Sequence, residues 1–130
     1  MHDFRWPALV TFGVMVLLFA LAGAVGKARG KYKIQAPATT GDPAFERTFR
    51  VHMNTIENTV LFLPALWLFA AFVSEVWAAA LGAAWLIIRV WYAFAYLQDP
   101  AKRGAPFGMS MLVFGILALG GAWGAVKGFF

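Results

Sequence analysis

The stretch that decides the fold is residues 45–73, which read FERTFRVHMNTIENTVLFLPALWLFAAFV. Its first three turns are polar, and the remainder is apolar over a length that suits a membrane span. Pro43 is well placed to begin this helix, because proline is favoured in the first helical turn. We therefore expect one long helix whose polar turns lie either at the membrane interface or in a protein interior.

Three further apolar runs resemble this helix in length. The first is longer than the core of a usual signal peptide, and its basic residues mostly follow it, so we expect a retained span. Polar loops at 27–44 and 98–106, and a short turn at Ser74 and Glu75, separate the runs. The sequence predicts an all-α fold, an integral membrane four-helix bundle in a single domain of residues 1–130. The expected spans are about 6–26, 45–73, 76–97 and 107–126.

The composition limits the chemistry that the chain can perform. It is 62% hydrophobic and only 13% charged, whereas a soluble domain needs polar residues along every exposed helix face. The absence of cysteine excludes disulfides and catalysis by a protein thiolate. His2 and His52 are too few for a typical zinc site, and we expect no metal. Any reactive sulfur must therefore arrive on a ligand.

The positive charge of the chain has a distribution typical of a membrane protein. The net charge is +5, and Lys27, Arg29, Lys31 and Lys33 directly follow the first span, so we expect no nucleic-acid partner. The first and third loops are basic and the second is not. The positive-inside rule then predicts that loops one and three are cytoplasmic and that both termini lie outside. The polar start of the second helix and the polar end of the third should meet near the cytoplasmic surface.

The polar residues of the second helix fall on one face. At about 100° per residue, Arg50, Asn54 and Glu57 lie within a narrow arc, and Arg47 is close to it. On the third helix Arg89, Tyr92 and Tyr96 also share a face. One interpretation is that Arg50, Glu57 and Arg89 form buried ion pairs that hold the bundle together. The other is that this surplus of cationic donors binds an anionic or zwitterionic, peptide-like ligand.

The fourth span carries Gly120, Gly124 and Gly128 at intervals of four. This spacing permits close helix approach within a subunit or between subunits. Glycine is also common in membrane helices. The spacing alone is therefore compatible with a contact within a subunit, with a contact between subunits, and with no role in packing.

One motif joins these polar residues. It runs Phe45-Glu46-Arg47-x-x-Arg50-x-His52-x-Asn54-x-x-Glu57, followed by Leu61-Phe62-Leu63-Pro64. It continues as Arg89-x-x-Tyr92-x-x-x-Tyr96 and Arg103-x-x-Pro106, with Arg29 upstream. The motif closely resembles the signature of the MAPEG family, the membrane-associated proteins of eicosanoid and glutathione metabolism. The resemblance covers the whole chain and all four spans.

The resemblance implies a homotrimer that binds glutathione in a cleft between neighbouring subunits. Arg103 matches the family's arginine that stabilises the glutathione thiolate, and a guanidinium beside a thiol does favour the charged form. The second substrate would be a hydrophobic small molecule or a lipid from the bilayer. The implied activity is that of a microsomal-type glutathione transferase, with glutathione peroxidase activity left open. The implied glutathione contacts are Arg50, Asn54, Glu57, Tyr92 and Tyr96 from one subunit, and Arg29 and His52 from the adjacent one.

Two departures from the family pattern narrow this expectation. Asn58 stands where leukotriene C synthase-like members carry tyrosine, and Gly30 stands where they carry a second arginine. These differences argue against leukotriene C synthase activity and leave a broader transferase. The alternatives are a non-catalytic lipid-binding or scaffold protein of the same family and, more weakly, a small transporter.

Overall fold

The computed structural model describes residues 3–130 and contains four long helices. Helix α1 spans Arg5–Tyr32, α2 Pro43–Phe72, α3 Glu75–Gln98 and α4 Gly104–Val126. Short 3-10 turns, Pro100–Arg103 and Lys127–Phe129, flank α4, and no strand occurs between residues 3 and 130. All four helices are long and apolar enough to cross a membrane. The predicted all-α four-helix membrane bundle is confirmed.

Helices α2 and α3 begin close to their predicted positions, and a side-chain cap precedes each of them. Asp42 Oδ1 accepts hydrogen bonds from the backbone N–H groups of Ala44 at 2.8 Å and Phe45 at 3.3 Å, with Pro43 as the first helical residue. Ser74 Oγ accepts from the N–H of Trp77 at 3.2 Å and so begins α3 directly after α2. These caps satisfy N–H groups that have no partner within their own helix.

The prediction that residues 27–44 form a loop is wrong for its first part. Helix α1 continues to Tyr32 and ends at Lys33, which adopts a left-handed conformation with φ 56°. Lysine and arginine are good helix formers. Basic side chains in the last turn also interact favourably with the negative end of the helix dipole, which stabilises the longer helix. The 28 residues extend roughly 42 Å, so the basic turns project beyond a hydrocarbon core of about 30 Å.

The start of the last helix also differs from the prediction. Helix α4 begins at Gly104, three residues before the expected Phe107. The 3-10 turn Pro100–Arg103 leads into it without a break, and Asp99 Oδ1 caps that turn by accepting from the N–H of Ala101 at 3.0 Å. Basic residues 102 and 103 are therefore held in helical turns at the bundle end.

Helices α2 and α3 each pack against the other three helices. The rings of Phe62 on α2 and Trp85 on α3 stack with centroids 3.9 Å apart and planes inclined by 7°. Gly82 leaves room for α1 and α2, since a Cβ there would lie 2.8 Å from Val10 Cγ1 and 2.9 Å from Leu66 Cδ1. This packing fixes the relative positions of the polar turns on α2 and α3.

The glycines of α4 bring it against α2. A Cβ at Gly124 would lie 2.6 Å from the carbonyl oxygen of Phe72, and one at Gly121 would lie 2.8 Å from the nitrogen of Phe69. Gly120 faces the Phe69 ring, whereas Gly128 has nothing within 4 Å. For Gly120 and Gly124 the predicted close approach is therefore within one chain.

Candidate functional site

A cleft of about 260 Å³ opens at the basic end of the bundle, between α2, α3 and the start of α4. It brings together five of the predicted site residues, two of which (Tyr92 and Tyr96) come from the end of α3. Because α2 begins where α3 ends, the polar turns of both helices reach the same end of the molecule. The lining residues are Arg50, Asn54, Tyr92, Tyr96, Arg103, Gly104 and Phe107.

The polar face of α2 that was predicted from the sequence carries one ion pair. This pair is not buried. Arg50 Nη1 lies 3.6 Å from Glu57 Oε1, and the two side chains are 54% and 55% exposed. Such a pair contributes at most about 1 kcal/mol to stability. The interpretation of Arg50 and Glu57 as a buried structural pair is therefore wrong, and both groups remain open to a ligand.

Arg89 is fully buried, and its partners are neutral. Its Nη2 donates to Asn54 Oδ1 at 2.7 Å and to Thr55 Oγ1 at 2.9 Å. Its Cζ lies 4.1 Å from the centroid of the Tyr92 ring, close enough for a cation–π contact. No ion pair forms between Arg89 and a carboxylate within residues 3–130, so the interpretation of Arg89 as one half of a buried ion pair is wrong too.

The side of the cleft formed by α3 and α4 is aromatic, and the guanidinium of Arg103 lies beside it. The Tyr92 and Tyr96 ring centroids lie 5.8 Å apart, and Phe107 lies 6.3 Å from Tyr92. The exposed Arg103 places its Cζ 5.7 Å from the Tyr96 ring centroid and donates from Nη1 to Pro100 O at 3.3 Å. With two guanidinium groups and no carboxylate in its lining, the cleft attracts anionic groups.

Three predicted site residues do not line this cleft. Glu57 lies beyond Asn54 on the same helix and pairs with Arg50. His52 is about 200° around α2 from Arg50 and is partly exposed. Arg29 lies at the end of α1, where Nη1 donates to Ala38 O at 2.7 Å and Cζ lies 5.0 Å from the Phe45 ring centroid. Arg29 lines a separate open groove of about 740 Å³ between α1 and the loop that follows it.

Several residues around the cleft were not predicted from the sequence. Thr55 is fully buried behind Asn54, and its position one turn before Thr59 is the signal that could have revealed a polar contact with α3. Gly104 and Phe107 join the lining because the 3-10 turn folds α4 back over Tyr92, which no local pattern indicates. Across residues 3–130, no three His, Cys, Asp or Glu side chains gather as metal ligands would, and His2 lies outside these residues.

Sequence comparisons find relatives that match most of the chain. The sequence profile of the MAPEG family matches residues 7–123. An uncharacterised protein of Synechocystis sp. is 46% identical over 118 residues, which cover 91% of this chain and 86% of that protein. Microsomal glutathione S-transferase 2 of Homo sapiens is 38% identical over 105 residues, 81% of this chain and 71% of its own length. Leukotriene C4 synthase of Mus musculus is 32% identical over 122 residues, 94% of this chain and 81% of its own length.

Proposed function

Because this chain belongs to the MAPEG family, we propose that it is a glutathione transferase of the membrane, acting on lipophilic electrophiles that reach it through the bilayer. The observation that carries the proposal is the cleft at the basic end, where Arg50, Asn54 and Arg103 face two tyrosine rings. Its chemistry suits a small peptide with two carboxylates and a thiol. Relatives named as glutathione transferases support the same ligand.

Glutathione would be held by complementary charges. The guanidinium of Arg50 would bind a carboxylate, and the carboxylate of Glu57 would bind the ammonium group. The Arg50–Glu57 contact is long and half exposed, so exchanging it for ligand contacts involves little loss. Tyr92 and Tyr96 would close the apolar side of the pocket.

Arg103 would act on the sulfur. A guanidinium beside the thiol lowers the thiol pKa and so raises the fraction present as thiolate, which is the nucleophile. In conjugation the sulfur forms a bond to the electrophilic carbon, the leaving group departs with the electron pair, and the thiol proton goes to solvent. With a lipid hydroperoxide, two glutathione molecules would be oxidised to the disulfide while the hydroperoxide is reduced to an alcohol and water.

Turnover by the purified protein tests this proposal. We expect glutathione-dependent conjugation of chlorodinitrobenzene, and we expect reduction of a lipid hydroperoxide to share the same cleft. Calorimetry with glutathione separates the transferase from the alternative, a non-catalytic lipid-binding scaffold. Absence of both glutathione binding and conjugation would reject the transferase and leave the scaffold.

We also propose that the working unit is a homotrimer. Arg29 and His52 lie away from the cleft of their own chain, which supports a site completed by a neighbouring subunit. Large apolar side chains such as Phe19, 82% exposed, and Ile87, 71% exposed, leave outer faces for subunits and membrane lipids. The mass of the protein in detergent, corrected for bound detergent, tests the trimer, and a monomeric mass would contradict it.

The cleft is proposed to face the cytoplasm. Eight of the eleven basic residues lie in the last turns of α1, the first turns of α2 and the segments that join them or precede α4. The chain has no natural cysteine, so single cysteines report the orientation cleanly. A membrane-impermeant maleimide should label S74C on intact cells and leave K102C unlabelled, and the reverse pattern would invert the proposed topology.

A further inference from the structure

The buried guanidinium of Arg89 makes an unusual contact with the side-chain amide of Asn54. Arg89 is 0% exposed, and its Nε and Nη1 have no hydrogen-bond partner within residues 3–130. Its hydrogen bonds are therefore those from Nη2 to Asn54 and Thr55. Asn54 also lines the cleft, so the same side chain joins the buried cation to the ligand site.

The chemistry of arginine fixes which end of the amide faces it. A guanidinium has only donors, so the Asn54 atom 2.7 Å from Arg89 Nη2 must be the oxygen. Asn58 Nδ2 donates to the same oxygen at 3.2 Å, which occupies its second lone pair. The Nδ2 group of Asn54 makes no hydrogen bond within residues 3–130 and remains the group that Asn54 can offer to the cleft.

We propose that Arg89 is a positioning residue that, together with Asn58, locks the Asn54 amide with its N–H₂ group toward the cleft. The ligand group at this point must then be a hydrogen-bond acceptor, a carboxylate or peptide carbonyl oxygen, and not an ammonium. The identity of that ligand as glutathione rests on the proposed function. The orientation of the amide does not, because it follows from contacts within the chain.

The alternative orientation is disfavoured by the surroundings of Arg89. Turning the amide over would bring its N–H₂ group against the guanidinium, so that donor faces donor. It would also leave the buried cation with Thr55 Oγ1 as its remaining acceptor. Ligand binding therefore does not set the orientation of the Asn54 amide, because Arg89 sets it beforehand. The cleft then favours a ligand that presents a hydrogen-bond acceptor to Asn54.

Replacing Asn54 by aspartate tests the orientation. N54D has nearly the same shape and offers Arg89 a carboxylate, but it presents an acceptor to the cleft in place of a donor. We expect N54D to bind glutathione at least tenfold more weakly than wild type in calorimetry, and more weakly than N54A. If Asn54 instead bound the ligand ammonium, N54D would bind more tightly, and that result would overturn the inference.

A matched control separates this local effect from added negative charge. Gln98→Glu makes the same amide-to-carboxylate change at the exposed end of α3, outside the cleft lining. We expect its glutathione affinity to stay within about twofold of wild type at moderate salt. A loss as large as that of N54D would assign the effect to charge alone and overturn the inference.

A double-mutant cycle tests whether Arg89 acts through Asn54. We expect R89Q to weaken glutathione binding strongly in the wild-type background and much less in the N54A background, since the positioned group is then absent. Equal effects in both backgrounds would overturn the positioning role. Should R89Q fail to fold, N58A removes the second donor to Asn54 without touching the buried cation, and the same cycle is run with it.

Thermal unfolding without ligand keeps the two proposals distinct. If the wild-type protein binds no glutathione, the proposed function is rejected. The contact between Arg89 and the side chain at position 54 is then tested by the unfolding temperatures of the variants. N54D should then unfold at a higher temperature than N54A, because its carboxylate pairs with Arg89. A lower midpoint for N54D than for N54A would show that the side chain at position 54 does not pair with Arg89, and it would overturn the inference whatever the ligand is.

Discussion

Two arginines line the cleft and a third is buried behind it, and each has different contacts. Arg89 is buried against Asn54 and Thr55, and Arg50 contacts Glu57 across a half-exposed gap. Arg103 is exposed and makes one long hydrogen bond to a backbone oxygen, over the Tyr96 ring. The three cations therefore suit different proposed tasks: Arg89 would orient Asn54, Arg50 would bind a ligand carboxylate, and Arg103 would stabilise the reacting sulfur.

Removal of Arg103 should separate chemistry from binding. We expect R103A to slow conjugation by about 100-fold, because the charge proposed to stabilise the reacting thiolate is lost. Glutathione affinity should change by less than about threefold, since Arg50, Asn54 and Glu57 remain. Steady-state rates and calorimetry measure the two quantities. K102A, which removes a neighbouring charge outside the cleft lining, is the control, and unchanged turnover in R103A would contradict the role.

For single residues, the sequence predicted which side chains belong to the site better than it predicted their hydrogen-bond and ion-pair partners. The spacing of Arg50, Asn54 and Glu57 predicted a shared face, and the structure brings two of them into the cleft with Tyr92 and Tyr96. The partner of Arg89 was not predictable, because it depends on the register of α2 against α3. A carboxylate was the obvious expectation, but a neutral amide and a hydroxyl take its place.

Among the elements, α2 supplies part of the site and takes part in most of the contacts between helices. Its first turns supply Arg50 and Asn54, while its later turns contact α4 through a glycine face. The spans were predictable because apolar length is a strong signal. The extension of α1 to Tyr32 was not, because charged helical turns and charged loops have similar compositions.

The glycine contact between α4 and α2 can be tested by adding single methyl groups. G124A would place a Cβ 2.6 Å from the Phe72 carbonyl oxygen, which is backbone and cannot move aside without shifting α2. We expect a loss of about 1–3 kcal/mol, seen as a lower unfolding midpoint in detergent. G115A is the matched control, since nothing lies within 4 Å of a Cβ there. Equal midpoints for the two variants would show that the helices are not closely packed at Gly124.

For the whole molecule, the proposal that Arg29 and His52 contact the ligand requires a neighbouring subunit, because neither residue lines the cleft of its own chain. In one chain Arg29 lines its own groove and contacts the Phe45 ring, so the cleft of that chain lacks it. In the proposed symmetric trimer, Arg29 of one subunit would contribute to the cleft of the next. The sequence predicts this only through its family resemblance, since no interface pattern is visible in a single chain.

Mixed oligomers test the shared site. R29A and R103A should each be nearly inactive alone, because every cleft then lacks one of the two arginines. When the two variants are co-expressed in equal amounts, about one quarter of the clefts should regain both arginines from neighbouring chains, and activity should return to about that fraction. Unfolding midpoints are measured in parallel, because Arg29 also donates to Ala38. No recovery in stable mixed oligomers would place both residues in the same subunit.

The most direct test of glutathione activation in this cleft is the ultraviolet difference spectrum of glutathione bound to the purified protein at neutral pH. We expect thiolate absorbance that grows with added glutathione and saturates with site occupancy. S-methylglutathione should give no such absorbance, and R103A should bind glutathione while losing most of the signal. Saturating binding by wild-type protein without any thiolate absorbance would contradict the central claim that this cleft activates glutathione.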